Sequence, residues 1–126
     1  MIAVLFEVKP RPGFESAYLA SAARLRPALA PIDGFIDIER FRSLSEPDKL
    51  LSLSLWRDED AVHRWRTVEA HRQAQEDGRT RLFAGYRLRV AEIVRDYGST
   101  DRAEAPDHGG HLPGGGRASS EAKVDD

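Results

Sequence analysis

Apolar positions along the chain change period several times, and each change marks a predicted element. Ile2 to Val8 alternates weakly, is rich in β-branched and aromatic residues, and runs into Pro10 and Pro12-Gly13. That predicts a strand followed by a loop. From Phe14 the spacing becomes helical. Phe14, Tyr18, Ala22, Leu25 and Leu29 share one face of a helix that Pro27 kinks and Pro31-Ile-Asp-Gly34 ends.

Phe35 to Arg42 alternates again, with Phe35, Asp37, Glu39 and Phe41 on one face and Ile36, Ile38 and Arg40 on the other. Ser43 to Asp48 is turn chemistry, and Lys49 to Trp56 returns as the second arm of a hairpin. In that arm Leu51, Leu53 and Leu55 face one way, and Leu50, Ser52, Ser54 and Trp56 the other. Asp58 is expected to cap a helix whose apolar stripe is Ala61, Val62 and Trp65. A break near Thr67 is predicted, then a polar helix from Glu69 to about Asp77 and an interruption at Gly78. An apolar cluster of Leu82, Phe83 and Tyr86 and a final strand from Arg87 to Tyr97 complete the order.

Strand, helix, strand, strand, helical region, strand is an α+β pattern that fits a split βαβ sheet, four-stranded, with helices on one face. Apolar side chains nevertheless occur on both faces of the strands, so one face is left open to water, and an apolar patch of that size marks an interface. Packing it on the same face of a second copy predicts a homodimer; a monomer with an exposed apolar face, or a different partner chain, is the alternative.

Composition divides the chain near Gly98. Residues 1–98 are expected to form the domain. Residues 99–126 hold no aromatic side chain, carry six acidic against three basic residues and include Gly114-Gly-Gly116, which predicts a disordered acidic tail. His108 and His111 within it make at most a weak metal contact. The whole chain has a formal net charge of −2, which leaves the folded part near neutral and argues against nucleic acid or an anionic membrane as partner. With no cysteine, thiolate zinc sites, iron–sulfur clusters and cysteine nucleophiles are excluded. The opening run Met1 to Lys9 is too short to span a bilayer and lacks the marks of a signal peptide, so a cytoplasmic location is expected.

Several stretches carry a resemblance to a known family. They are Pro31-Ile-Asp-Gly-Phe35, Leu53-Ser-Leu-Trp56-Arg-Asp-Glu-Asp-Ala61-Val-His-Arg-Trp65, Glu69-Ala-His71-Arg-Gln-Ala-Gln75, Phe83-Ala-Gly-Tyr86 and Val90-Ala-Glu-Ile-Val-Arg95. Together, over roughly residues 1–97, they resemble the antibiotic biosynthesis monooxygenase domain. The resemblance implies a ferredoxin-like βαββαβ domain paired into a dimeric α/β barrel. It also implies a choice among cofactor-free oxidation of anthrones and quinols, haem degradation, isomerisation of small molecules and no catalysis.

Candidate residues follow from that resemblance. Trp65 stands where haem-degrading and anthrone-oxidising relatives place a tryptophan near the substrate; alternatively it only anchors its helix. His71, six residues on, occupies a position where relatives carry a histidine or tyrosine facing the cleft. An imidazole suits removal of a phenolic or carbon-bound proton near neutral pH; the plainer reading is a half-exposed hydrogen bonder. Trp65, Phe83 and Trp56 are expected as pocket walls, with Arg79 or Tyr86 as partner to a substrate anion. Haem-degrading members place the iron ligand nine or ten residues after the tryptophan, and Ala74 and Gln75 stand there, which disfavours haem. Where the anthrone-oxidising pattern has a polar amide, this chain has Ala61. His63 reads as a surface residue, Arg64, Arg66 and Arg72 as a solvated face, and the pair His63 and His71 lacks an acidic partner for a metal. The expectation is a cofactor-independent monooxygenase of a small aromatic substrate, with no metal and no cofactor. A non-enzymatic dimer binding a small hydrophobic ligand is the alternative.

Overall fold

β1 (Ile2–Pro10) is the strand around which the sheet is built. On one side it pairs antiparallel with β3 (Leu50–Trp56), from Ile2 opposite Trp56 to Val8 opposite Leu50. On the other it pairs with β4 (Phe83–Glu92), from Ile2 opposite Glu92 to Pro10 opposite Phe83. β2 (Phe35–Arg42) joins the outer edge of β3, so the sheet order is β2-β3-β1-β4 with every neighbour antiparallel. Between the strands lie α1 (Glu15–Ala23), the single turn α2 (Arg26–Leu29), α3 (Glu59–Glu76) and a 3₁₀ turn at Arg79–Leu82. This is the expected ferredoxin-like βαββαβ arrangement. The computed structural model describes residues 1–76 and 79–106, with side chains for residues 1–69 and 81–106.

Burial decides which sheet face the helices cover. Val8, Leu50 and Trp56 are buried, whereas Leu51, Leu53 and Leu55 are only half-buried. The helices therefore lie on the face that carries the two serines of β3. Under them the core forms two groups. One gathers Ile2, Leu29, Ile38, Trp56, Ala61 and Val62. The other gathers Val8, Tyr18, Ala22, Leu50 and Phe83.

The structure departs from the predicted elements in five respects. Helix Phe14–Leu29 is two pieces: Pro27, near the start of α2, has no N–H to continue the α1 ladder. Phe14 stands at the N-terminal boundary of α1, 45% exposed, instead of on the buried stripe. The register of β2 slips between Phe35 and Asp37, which turns Phe35 onto the Ile38 face, where its ring meets Trp56 edge-on at 5.3 Å. Strict alternation assigns it to the opposite face because a bulge leaves no mark in the apolar pattern. α3 runs unbroken past Thr67 to Glu76, so the predicted interruption is absent. Thr67 instead returns its hydroxyl to the His63 carbonyl at 3.1 Å, within the helix. Finally, β4 spans Phe83–Glu92 and not Arg87–Tyr97, because it follows β1 along its full length.

The unit just described is Met1–Ile93; residues from Val94 form a second unit. Within it the Gly98 N–H donates to the Asp101 carbonyl (2.7 Å), the Asp96 N–H donates to Glu104 (2.8 Å), and Arg102 lies over the Tyr97 ring. His108, His111 and the rest of the predicted acidic tail from residue 107 lie outside the described residues. Among the described residues no helix is long and apolar enough to cross a membrane.

Candidate functional site

The inner face of β3 reads Leu50, Ser52, Ser54, Trp56, large at both ends and small in the middle. Leu50 closes one core group and Trp56 the other. Between them the serines, with Phe6 and Val4 of β1 and Arg40 and Ile38 of β2 paired alongside, do not fill the space under the helices. A cavity of about 310 Å³ results, at the lower end of the range of roughly 300–1,000 Å³ usual for small-molecule sites. Tyr18, Leu25 and Leu29 line it from the first helical layer. α3 contributes Val62, Trp65, Arg66 and Glu69, spaced as one helical face. Leu88 and Val90 of β4 border it, 45% and 43% exposed.

The two tryptophans form the apolar wall. Trp56 is fully buried and donates its Nε1–H to the Ser54 hydroxyl at 2.9 Å. Trp65 stacks on it, ring centroids 6.4 Å apart and planes 22° apart. Because the Ser54 hydroxyl accepts this bond, its own proton remains as a donor.

Local chemistry fixes α3 over the sheet. The Asp58 carboxylate accepts the Ala61 N–H at 2.9 Å and so caps the helix as expected. Arg57 forks onto both Asp33 oxygens at 3.0 Å and reaches Asp58 at 3.1 Å, while Arg64 donates to the Asp33 carbonyl at 3.0 Å. These bonds hold both carboxyls below the usual aspartate range: Asp33 chiefly through the Arg57 guanidinium, Asp58 chiefly through the Ala61 N–H and then Arg57. At the same junction Gly34 has φ +96°, and a Cβ there would lie 2.5 Å from the Ala61 methyl. Only glycine satisfies both the backbone and the approach of the helix.

The structure brings Trp56 and Trp65 together in the cavity wall. Phe83 stands one layer behind, its ring 5.7 Å from those of Phe6 and Tyr18, both of which line the cavity. Tyr86 is 64% exposed and lies outside the cavity lining, against the rings of Phe6 and Phe83. The backbone of His71 belongs to α3 and that of Arg79 to the 3₁₀ turn, but both side chains lie outside the described residues. His63 is exposed. Arg66, assigned to a solvated face, is exposed and also borders the cavity, one helical turn after Val62.

Four polar groups in the lining escaped the pattern: Arg40, Ser52, Ser54 and Glu69. Arg40 donates Nη2–H to the Ala22 carbonyl at 3.3 Å, while its Nε–H is buried with no hydrogen-bond partner among the described residues. Ser52 lies beside it in register, and Glu69 faces in from α3. The available signal was the inward parity of Arg40, Ser52 and Ser54 on strands whose opposite positions are apolar.

The family model for the antibiotic biosynthesis monooxygenase matches residues 1–77. The chain belongs to this family. Over 101 residues it is 48% identical to the jasmonate monooxygenase ABM of Pyricularia oryzae, covering 80% of this chain and 47% of that protein. The chain thus spans about half the length of that relative. An uncharacterized protein of Bacillus subtilis, YqjZ, is 32% identical over 82 residues, covering 64% of this chain and 69% of that one. Among solved structures, Rv0793 from Mycobacterium tuberculosis superposes with a TM-score of 0.66 at 18% identity, over 75% of this chain and 96% of that one. At that identity the likeness speaks for the fold alone, and within the family it confirms the ferredoxin-like architecture.

Proposed function

We propose that this chain is a cofactor-independent monooxygenase that oxidises a small aromatic substrate of the anthrone or quinol kind with O₂. The observation that carries the reading is the cavity between the two core groups, walled by the stacked pair Trp56 and Trp65. An activated methylene loses a proton to a base, for which His71 is the candidate. The resulting anion passes an electron to O₂, the two radicals combine as a hydroperoxide, and loss of water leaves a carbonyl. In sum R₂CH₂ and O₂ give R₂C=O and H₂O, which balances without an external reductant. The chain's contribution is an aromatic-walled slot, a base and donors for the anion. Oxygen uptake with a panel of anthrones and hydroquinones tests this. Uptake by the wild type that His71→Ala abolishes supports it. No uptake with any of them overturns it, and saturable binding without uptake makes the chain a ligand-binding protein instead.

A second reading places a jasmonate-like molecule in the same cavity. It is favoured by the 48% identity to a protein named a jasmonate monooxygenase.

We also propose that the domain, residues 1–98, acts as a homodimer through the open sheet face, with residues 99–126 as an appended acidic tail. That face carries Leu51, Leu53 and Leu55 with Leu5 at its centre. Asp37 and Glu39 lie on the β2 side and Arg87 and Arg89 on the β4 side, where Glu7 of β1 already pairs with Arg89 at 3.0 Å. A twofold axis parallel to the strands sets β2 of one copy opposite β4 of the other, acid against base, whereas an axis across the strands sets like against like. The charge pattern therefore favours the first, which is the pairing that closes an α/β barrel.

A further inference from the structure

We infer that the cavity holds an anionic subsite at Arg40, and that the natural ligand is a small apolar molecule bearing one carboxylate. The inference rests on the reading that this cavity is the ligand site. Arg40 stands on the inner face of β2 between Ile38 and Arg42, in register with Ser52, and lines the cavity floor. Its Nη2–H is spent on the Ala22 carbonyl at 3.3 Å, and this bond holds the guanidinium in place. Its Nε–H is buried with no hydrogen-bond partner among the described residues. A buried donor on a charged group costs free energy unless something accepts its bond, and an ionised acceptor repays that most fully. Ser52 offers a hydroxyl beside it, and the Ser54 hydroxyl still has its own proton to give.

Among the described residues the charged side chains of the lining are Arg40, Arg66 and Glu69; Arg66 is exposed to solvent, which leaves Arg40 and Glu69 as the charges inside. The rest is Trp56, Trp65, Phe6, Tyr18, the two serines and aliphatic side chains. That chemistry fits a ring or short chain against the tryptophans and a single carboxylate on the sheet floor. A free phosphate would leave the apolar walls unmatched, and a neutral hydrocarbon would leave the Arg40 Nε–H unpaired.

Isothermal titration of the full chain with 1-naphthylacetate and with its methyl ester tests the inference, because the two probes share their ring and differ in the charge. The wild type is expected to bind the acid roughly ten-fold or more tighter than the ester. Arg40→Gln is expected to erase that preference while ester binding stays unchanged, and retained ester binding also reports an intact cavity. Arg40→Lys keeps the charge but has no N–H at the ε position. Its preference is expected to fall as well, which covers the case in which the glutamine variant does not fold. Equal wild-type binding of acid and ester overturns the anionic subsite and leaves the cavity reading standing. An unchanged preference in both Arg40 variants overturns it equally. Failure of the wild type to bind either probe removes the cavity reading and the subsite with it.

Discussion

The two faces of β3 invert the usual rule of burial. Toward the helices the strand presents two serines between Leu50 and Trp56; away from them it presents three leucines. On the covered face the small polar pair opens a cavity that larger side chains would close. On the open face the leucines are surplus to the domain's own core and are what the proposed dimer would use. On the proposed reading, hydrophobicity here records two destinations, a ligand and a partner, and burial inside one chain accounts for neither alone.

Replacing Trp56 by Ala should have the largest effect, since it removes a fully buried indole that anchors one core group. A loss of about 3–5 kcal/mol is expected in urea unfolding, with the apparent Tm falling accordingly. Leu53→Asp acts on the other face. It should convert dimer to monomer in light scattering while leaving near-ultraviolet signals of the tryptophan pair in place. A variant that stays dimeric would remove the open face from the account. Ser52→Leu separates cavity from core: its cost in stability should stay below about 3 kcal/mol while ligand binding is lost. The smallest effect is electrostatic. Asp33 and Asp58 titrate below their ordinary 3.8 in the folded chain, so what they add to stability is complete above about pH 4. It drains away as pH falls through the lowered values. Asp58→Asn should flatten the acid limb of a Tm-against-pH curve and leave the neutral plateau nearly level.

Periodicity made most of the fold legible, because alternation and helical spacing report directly on which side of an element meets apolar neighbours. The order of elements and the Asp58 cap were readable in this way. The end of β4 was not, because its length is dictated by pairing with β1, a contact between positions some eighty residues apart. Nor was the face of Phe35, since a bulge shifts parity without changing composition. In the site, Trp56 and Trp65 stood out as large aromatics in a family-like stretch. Arg40, Ser52 and Ser54 did not. An inward polar residue on a strand is indistinguishable from an outward one until the sheet's covered face is known.

The central claim is that the hollow left by the serines of β3 is where the ligand sits. The chain has only two tryptophans, and both border that hollow, so tryptophan fluorescence reports on it. Titrating wild type and Ser52→Leu with an anthrone under nitrogen is the direct measurement. Saturable quenching in the wild type, absent from an equally well folded Ser52→Leu, is the predicted result. The same quenching curve in both proteins would contradict it.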